Sequence, residues 1–334
     1  MTAPLAVSLG DPAGVGPELI AETWARRAGE RLHPFFVCGG ASVLREAAAL
    51  RGIALDLELI ENPGEARAAF ARALPVLGGG DGAYRPGFPD DPGARLALAS
   101  LEAAAALTHA GAAAGLVTGP IAKAALAAVG FAFPGQTEFV AHVCGVAAED
   151  AVMMLAGPSL RTVPLTVHIA LAEVPARLSA ELIVRRARIV AAGLQRDFGI
   201  AAPRLAICGL NPHAGENGRM GREEIEIIAP AIAALRAAGI DATGPHPADT
   251  LFAPRLRATY DVAIAMYHDQ ALVPIKALDF DQGVNVTLGL PIVRTSPDHG
   301  TAFGIAGTGT ADPGAMIAAI RMAGEMAARR AASD

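Results

Sequence analysis

Short apolar runs alternate along the chain with stretches whose apolar residues recur at helical spacing. The runs are LAVSLG from Leu5, PFFVCGG from Pro34, GLVTGP from Gly115, TVPLTVHIAL from Thr162, RLAICGL from Arg204 and DVAIAMY from Asp261. Helical patterns follow Pro17 and cover about 95–109, 179–196, 222–238 and 312–330. This alternation predicts βα units, and therefore an α/β fold with a mostly parallel sheet.

Composition narrows the class of protein. The chain has 334 residues, of which 52% are hydrophobic and 18% charged, so a large core and about two domains are expected. A net charge of −6 argues against nucleic acid or an anionic membrane as the main partner. No signal-peptide pattern and no run of about 20 apolar residues is visible. Three widely spaced cysteines indicate buried free thiols, and we expect a cytoplasmic protein.

Three histidines lie where an apolar run changes into a polar loop. They are His168 in LTVHIA, His213 in CGLNPHAGENG and His268 in IAMYHDQ. Open α/β sheets bind ligands at such strand ends. Three neutral imidazoles suit zinc or a similar divalent ion and leave one position for a substrate. A single histidine of this kind is more often structural, but three in the same setting favour a metal site.

Two further loops allow a functional and a structural interpretation. The segment from Gly10 to Glu18, GDPAGVGPE, is either a turn that cradles phosphate or a tight turn that packs a helix on a strand. Its glycines do not match the dinucleotide fingerprint. In GQTEF, Thr137 is either a ligand-binding hydroxyl or a plain helix N-cap.

Lysine is rare in this chain. Only Lys123 and Lys276 occur among 27 basic residues, so a compact ammonium is expected to matter at these positions. Lys276 is followed by Asn285 in VNVTLGLP and by Arg294 in IVRTS. Lysine, asparagine and arginine together can bind a phosphate dianion, with arginine supplying a bidentate fork.

Several blocks together resemble the 4-hydroxythreonine-4-phosphate dehydrogenase family of pyridoxal phosphate biosynthesis. They are GDPAGVGPE, VTGPIAK, GQTEF, LNPHAGENG, ADTLF, YHDQ and NVTLGLPIVRTSPDHGTAF. The resemblance implies a two-domain fold of the isocitrate/isopropylmalate-dehydrogenase type, with the active site in the interdomain cleft at a homodimer interface. On this basis the first domain is expected at residues 1–125 plus 300–334, and the second at 126–299.

The resemblance also implies roles for individual residues. His168, His213 and His268 would bind the divalent metal, one of them across the dimer interface. Gln136, Thr137, Lys276, Asn285 and Arg294 match substrate-binding positions. Lys276 is in addition expected to be catalytic, and Asp249 is a candidate general base by its position in ADTLF. Two residues depart from the family pattern: Gln136 stands where many members have histidine, and Gly304 where an acidic residue is expected.

The reaction implied is oxidation of 4-phosphooxy-L-threonine by NAD or NADP with zinc, magnesium or cobalt. Its product, 2-amino-3-oxo-4-phosphooxybutanoate, loses carbon dioxide to give 3-amino-2-oxopropyl phosphate. No residue pattern identifies the nicotinamide-binding residues. Three alternatives stay open: a dehydrogenase for another phosphorylated or carboxylic hydroxy acid, a metal-dependent phosphatase or aldolase, and a non-catalytic binding protein.

Overall fold

The six apolar runs contain or overlap β-strands in the computed structural model, which describes residues 2–333. The strands are β1 Leu5–Ser8, β2 Phe35–Cys38, β3 Leu57–Ile60, β4 Leu74–Leu77, β5 Leu116–Thr118, β6 Val152–Ala156, β7 Arg161–Pro164, β8 Arg204–Cys208, β9 Asp241–His246, β10 Val262–Ala265, β11 Val284–Leu288 and β12 Arg294–Pro297.

Four of the five predicted helices are also present, with additional short ones between them. They are α1 Gly16–Ala25, α2 Ala41–Leu50, α3 Ala66–Phe70, α4 Asp91–His109, α5 Lys123–Ala128, α6 Gln136–Val143, α7 Val174–Arg177, α8 Ala180–Phe198, α9 Ala229–Ala237, α10 Ala248–Leu251, α11 Pro254–Arg257, α12 His268–Asp279 and α13 Gly314–Ser333. Among these helices none is both long and apolar enough to cross a bilayer.

The helix predicted over 222–238 is not one regular α-helix. Residues Glu224–Ile228 form a π-helical segment, and α9 begins only at Ala229. Pro230 has no N–H with which to make the α-helical hydrogen bond to the carbonyl of Glu226. The wider π segment therefore lies where proline interrupts the regular hydrogen-bonding pattern. Single π-helical turns of this kind are frequent at functional sites.

The first structural unit runs to Ala148 and resumes at Leu290. Its strands are ordered β3-β4-β2-β1-β5-β12, and every adjacent pair is parallel. The central strands are buried on both faces, as Phe35, Phe36 and Val37 show with no exposed surface. Burial of both faces explains why these strands appear in the sequence as continuous apolar runs instead of alternating patterns.

The second unit is Glu149–Gly289. Its strands are ordered β11-β6-β7-β10-β8-β9; the β11–β6 and β6–β7 pairs are antiparallel and the others parallel. Ala271 and Ile275, four residues apart on α12, belong to a buried cluster that includes Leu155, Ala263 and Ala265 of this sheet. One face of α12 is thereby packed against the sheet. Its first residue, His268, lies just beyond the carboxyl end of β10.

The unit boundaries differ from the predicted domains. Residues 126–148 and 290–299, assigned from the sequence to the second domain, belong to the first unit. The cause is long-range pairing: β12 forms a parallel pair with β5, and α6 packs against α4. Neither contact leaves a signal in the local sequence.

Candidate functional site

Two of the three predicted metal ligands lie just beyond the carboxyl ends of two neighbouring strands in the second unit. His168 follows β7, and His268 opens α12 shortly after β10, which is the parallel neighbour of β7. The centroids of the two imidazole rings are 5.9 Å apart. Two imidazoles bound to one tetrahedral ion have centroids roughly 5–6 Å apart, given Zn–N bonds of about 2 Å. The pair thus has the spacing that a shared metal requires.

The two histidines border a cavity of about 260 Å³. The other lining residues are mostly apolar, with one threonine, one tyrosine and one aspartate: Thr166, Val167, Ile169, Leu171, Val174, Tyr267 and Asp269. A mainly apolar cavity with a few convergent polar groups is typical of a small-molecule site.

Asp269 orients one of these imidazoles. One of its carboxylate oxygens lies 2.7 Å from Nδ1 of His268. A carboxylate at this nitrogen favours the tautomer in which Nδ1–H donates, so that Nε2 carries the free electron pair. Asp269 was not among the predicted site residues, although its carboxylate directly follows a predicted ligand in the YHDQ block.

His213 lies in an unusual backbone segment. Residues 213–217 have φ values of 51°, 51°, 77°, 43° and 57°, and Gly218 has 88°. A left-handed conformation costs about 1–2 kcal/mol for a residue with a Cβ atom. His168 also has a positive φ, 53°. Strain of this kind persists where the surroundings enforce it and is concentrated at functional sites.

A complete three-ligand cluster is not formed within the described chain. Among residues 2–333, no group of three or more His, Cys, Asp or Glu side chains is placed to hold a metal ion. The histidine pair nevertheless fits a borderline-soft divalent ion through the chemistry of its donors and its spacing.

A second group of predicted residues meets in the first unit, around Arg294. This side chain is buried, with 2% of its surface exposed. Its Nη2 donates to Thr118 Oγ1 at 2.8 Å and to Gln136 Oε1 at 3.0 Å, and its Nη1 lies 3.5 Å from Thr137 Oγ1. Burial lowers the pKa of Arg294 to about 10, which a contribution from Glu138 opposes. A buried, hydrogen-bonded guanidinium is suited to an anionic ligand that would offset its desolvation.

Gln136 is held at both ends of its amide. Its Oε1 accepts from Arg294 and from Thr118 Oγ1 (2.9 Å), and its Nε2 donates to the Gly119 carbonyl at 3.0 Å. Gln136 therefore positions Arg294. Thr137 is the second residue of α6, whose N-cap is Gly135, so the N-cap interpretation of Thr137 was wrong.

The remaining predicted residues lie in the second unit. Lys276 is half-buried on α12, and Asn285 is the second residue of β11. Oδ1 of Asn285 is buried without a hydrogen-bond partner in the described part of the chain. Such an atom is free to accept from a ligand. Asp249 is exposed on the short helix α10.

The glycine-rich loop after β1 is a packing turn. The backbone N–H groups of Asp11, Ala13, Gly14 and Val15 all donate within the protein, to Pro120 O, Asp11 Oδ1, Asp11 O and Thr301 O. A Cβ atom on Gly14 would lie 2.8 Å from Thr301 O. Because these four donors are already used within the protein, the structure favours the packing turn for this segment.

Comparison with known proteins identifies the family. Residues 30–323 match the family model of the pyridoxal phosphate biosynthetic protein PdxA. The chain is 66% identical over 328 residues to a 4-hydroxythreonine-4-phosphate dehydrogenase of Erythrobacter litoralis, covering 98% of each chain. A crystal structure of the enzyme of that name from Klebsiella pneumoniae matches with 40% identity, a TM-score of 0.85 and 98% coverage of both chains.

A more distant structure bears another name. A terephthalate 1,2-cis-dihydrodiol dehydrogenase from Burkholderia xenovorans matches with 33% identity and a TM-score of 0.65, over 97% of this chain and 98% of that one. Both structural matches extend across both units of the chain. The residues matched by the family model include His168, His268 and Arg294. The chain belongs to the PdxA family of pyridoxal phosphate biosynthetic proteins.

Proposed function

We propose that this chain is an oxidoreductase that converts 4-phosphooxy-L-threonine (4-hydroxythreonine 4-phosphate) to 2-amino-3-oxo-4-phosphooxybutanoate, which decarboxylates to 3-amino-2-oxopropyl phosphate in pyridoxal phosphate biosynthesis. The observation that carries the proposal is the 66% identity, over 98% of both chains, to a relative of that name. The paired imidazoles and the buried guanidinium support it, because the substrate has a hydroxyl to be oxidised and a phosphate to be bound.

His168, His213 and His268 would hold the divalent metal, which is zinc, magnesium or cobalt. When bound, the metal supplies Lewis-acid polarisation of the substrate oxygen. Asp269 keeps His268 in the tautomer that offers Nε2. The mainly apolar cavity beside His168 and His268 is where the substrate would approach the metal. A second subunit is expected to complete the ligand set in a homodimer.

The proposed substrate-binding residues are Thr137, Lys276, Asn285 and Arg294. Gln136 contributes to substrate binding by positioning Arg294. A phosphate remote from the reacting carbon contributes binding energy that can be converted into orientation. Lys276 is in addition the proposed catalytic ammonium. Asp249 is the proposed general base on the ground of its position in the ADTLF block alone.

NAD or NADP is the proposed hydride acceptor. Support in the first unit comes from two buried polar atoms without hydrogen-bond partners in the described chain, Asp11 Oδ2 and His299 Nε2. Asp11 follows β1 and His299 follows β12, at the carboxyl ends of parallel strands where open α/β sheets bind ligands. The amide and hydroxyl groups of a dinucleotide are suitable partners for such atoms.

The test uses protein stripped of metal and resupplied with zinc, cobalt or magnesium, together with 4-phosphooxy-L-threonine and NAD or NADP. We expect metal-dependent growth of the reduced nicotinamide absorbance, lost in His213→Ala and kept in His109→Ala, whose imidazole is exposed at the end of α4. Turnover without any nicotinamide would instead indicate a phosphatase or an aldolase.

A second candidate is a dehydrogenase for a carboxylated substrate without phosphate. It is favoured by the 33% identity to the terephthalate dihydrodiol dehydrogenase and by glutamine at position 136. Assay of a cis-dihydrodiol carboxylate beside the phosphorylated substrate separates the two: the higher kcat/KM identifies the substrate class.

A further inference from the structure

The loop that carries His213 rests on a buried carboxylate to which the proposed reaction assigns no role. Glu224, the first residue of the π-helical segment, has only 4% of its surface exposed. Its Oε1 accepts the backbone N–H of Asn211 at 2.7 Å, and its Oε2 accepts Nδ2–H of the same residue at 3.0 Å. Glu224 thus accepts hydrogen bonds from both the main chain and the side chain of Asn211, two positions before His213.

Two glycines near His213 let the backbone pass close to this carboxylate. A Cβ atom on Gly215 would lie 2.5 Å from Glu224 Oε2, and one on Gly209 would lie 3.1 Å from Glu224 Oε1. Gly215 is itself buried and has a φ of 77°. The backbone at Gly215 therefore approaches Glu224 more closely than a Cβ atom allows, and at Gly209 a Cβ atom would make a tight contact with it.

The left-handed turn 213–218 needs such a support. His213, Ala214, Glu216 and Asn217 all have Cβ atoms and φ between 43° and 57°, so their own preference is for the right-handed region. A residue that anchors Asn211 and contacts Gly215 constrains this turn immediately before and just after His213.

We propose that Glu224 is the positioning residue of His213: it holds the left-handed turn, and through it the direction in which the imidazole faces the metal. This inference rests on the ligand role of His213 in the proposed function. Partners that orient metal ligands typically change metal affinity by about 10- to 100-fold when they are replaced.

Glu223 provides a matched control. Its Oε2 accepts from the same Asn211 Nδ2 at 2.7 Å, but it makes no hydrogen bond to the backbone of Asn211 and is only half-buried. Replacing either glutamate by glutamine preserves its shape. At position 224, however, the amide oxygen can accept from only one of the two N–H donors of Asn211, and the NH₂ group would face the other donor in a buried place.

A second pair of variants tests the contact with glycine. Gly215→Ala places a Cβ against Glu224, whereas Gly239→Ala adds one at a similar φ, 79°, with nothing within 4 Å. Both substitutions introduce the same left-handed strain. Only the first disturbs the support of His213, so the pair remains informative if Glu224→Gln fails to fold.

The measurement is Co²⁺ binding to the metal-free protein, by competition with a chromophoric chelator and by the visible spectrum of the bound cobalt. We expect Glu224→Gln and Gly215→Ala to weaken Co²⁺ binding by about tenfold or more and to alter the spectrum. Glu223→Gln and Gly239→Ala should stay within about twofold of the parent. In a His213→Ala background, Glu224→Gln should cause no further loss, because it acts through His213.

Two results would overturn the proposal: unchanged affinity and spectrum in Glu224→Gln, or an equal loss with and without His213. The ligand role of His213 has its own test. If His213→Ala alone binds Co²⁺ as tightly as the parent protein, His213 is not a ligand, and the positioning role proposed for Glu224 fails as well.

Discussion

At the scale of single residues, burial determines how the polar groups of this chain behave. Arg294 keeps its charge inside the first unit because hydroxyl and amide oxygens surround it, although burial lowers its pKa to about 10. Within residues 2–333 no hydroxyl or amide group bonds to the thiols of Cys38 and Cys208, and burial raises the pKa of each thiol to about 12. Cys144 is only half-buried, so the prediction of buried thiols holds for two of the three cysteines.

The thiols make the stability of the protein dependent on alkaline pH. The pKa of each is raised on folding, so their stabilising contribution is complete below about pH 9 and is lost as the pH rises toward 12. Above about pH 9 we expect each thiol to lower the free energy of unfolding by about 1.4 kcal/mol per pH unit. Urea unfolding at about pH 8 and pH 10 tests this, with Cys38→Ala/Cys208→Ala as the comparison. An equal pH slope in the parent and the double variant would contradict the prediction.

Gln136→His tests whether this residue acts through Arg294. The imidazole must accept from Arg294 as the amide oxygen does, and protonation near its usual pKa removes that acceptor. We therefore expect KM for the phosphorylated substrate to rise more steeply below about pH 6.5 in Gln136→His than in the parent or in Gln195→His, a control on α8. A KM that falls with acidity would mean that the new imidazole binds the phosphate directly.

At the scale of elements, helix starts carry much of the candidate site. His268 is the first residue of α12, and Gln136 and Thr137 open α6. None of these helices has a side-chain N-cap, whereas α8, which covers the sheet of the second unit, is capped by Ser179 Oγ accepting from Leu182 N at 3.1 Å. The first turns of α6 and α12 therefore lack the side-chain acceptor that the first turn of α8 has.

Removing the Ser179 cap should therefore affect stability and leave the metal site intact. We expect Ser179→Ala to lower the free energy of unfolding by about 1 kcal/mol, because one N–H of the first turn loses its acceptor. Co²⁺ affinity should not change. Ser179→Asp, which retains an acceptor, is the control and should unfold like the parent in urea. A weakened Co²⁺ affinity in the alanine variant would show that α8 also orients the ligands.

At the scale of the whole molecule, the described chain contains a histidine pair but no complete ligand cluster. The proposed function predicts that a histidine from a second subunit completes the ligand set. The family membership established by the comparisons concerns the single chain, so the assembly has to be tested directly.

Mixing inactive variants tests a shared site. His168→Ala, His213→Ala and His268→Ala are each combined in pairs, dissociated and reassociated. If one ligand crosses the interface of a homodimer, two of the three mixtures should recover about a quarter of the parent activity, because half of the dimers are mixed and each has one intact site. The pair that does not recover names the two ligands from the same subunit. No recovery in any mixture would mean that all the ligands come from one chain.

Local patterns in the sequence were enough to predict the α/β class and the six apolar strands, because burial of a strand leaves a continuous apolar run. The roles of the candidate residues came from the family resemblance of the blocks that contain them. Tertiary structure decided what depends on distant contacts. Pairing of β12 with β5 moved the unit boundaries, and backbone hydrogen bonds to Pro120 and Thr301 made the glycine loop a packing turn. The left-handed turn at His213 and its support, Glu224, were equally invisible: the two residues are separated along the chain, and only folding brings the buried carboxylate against Asn211 and Gly215.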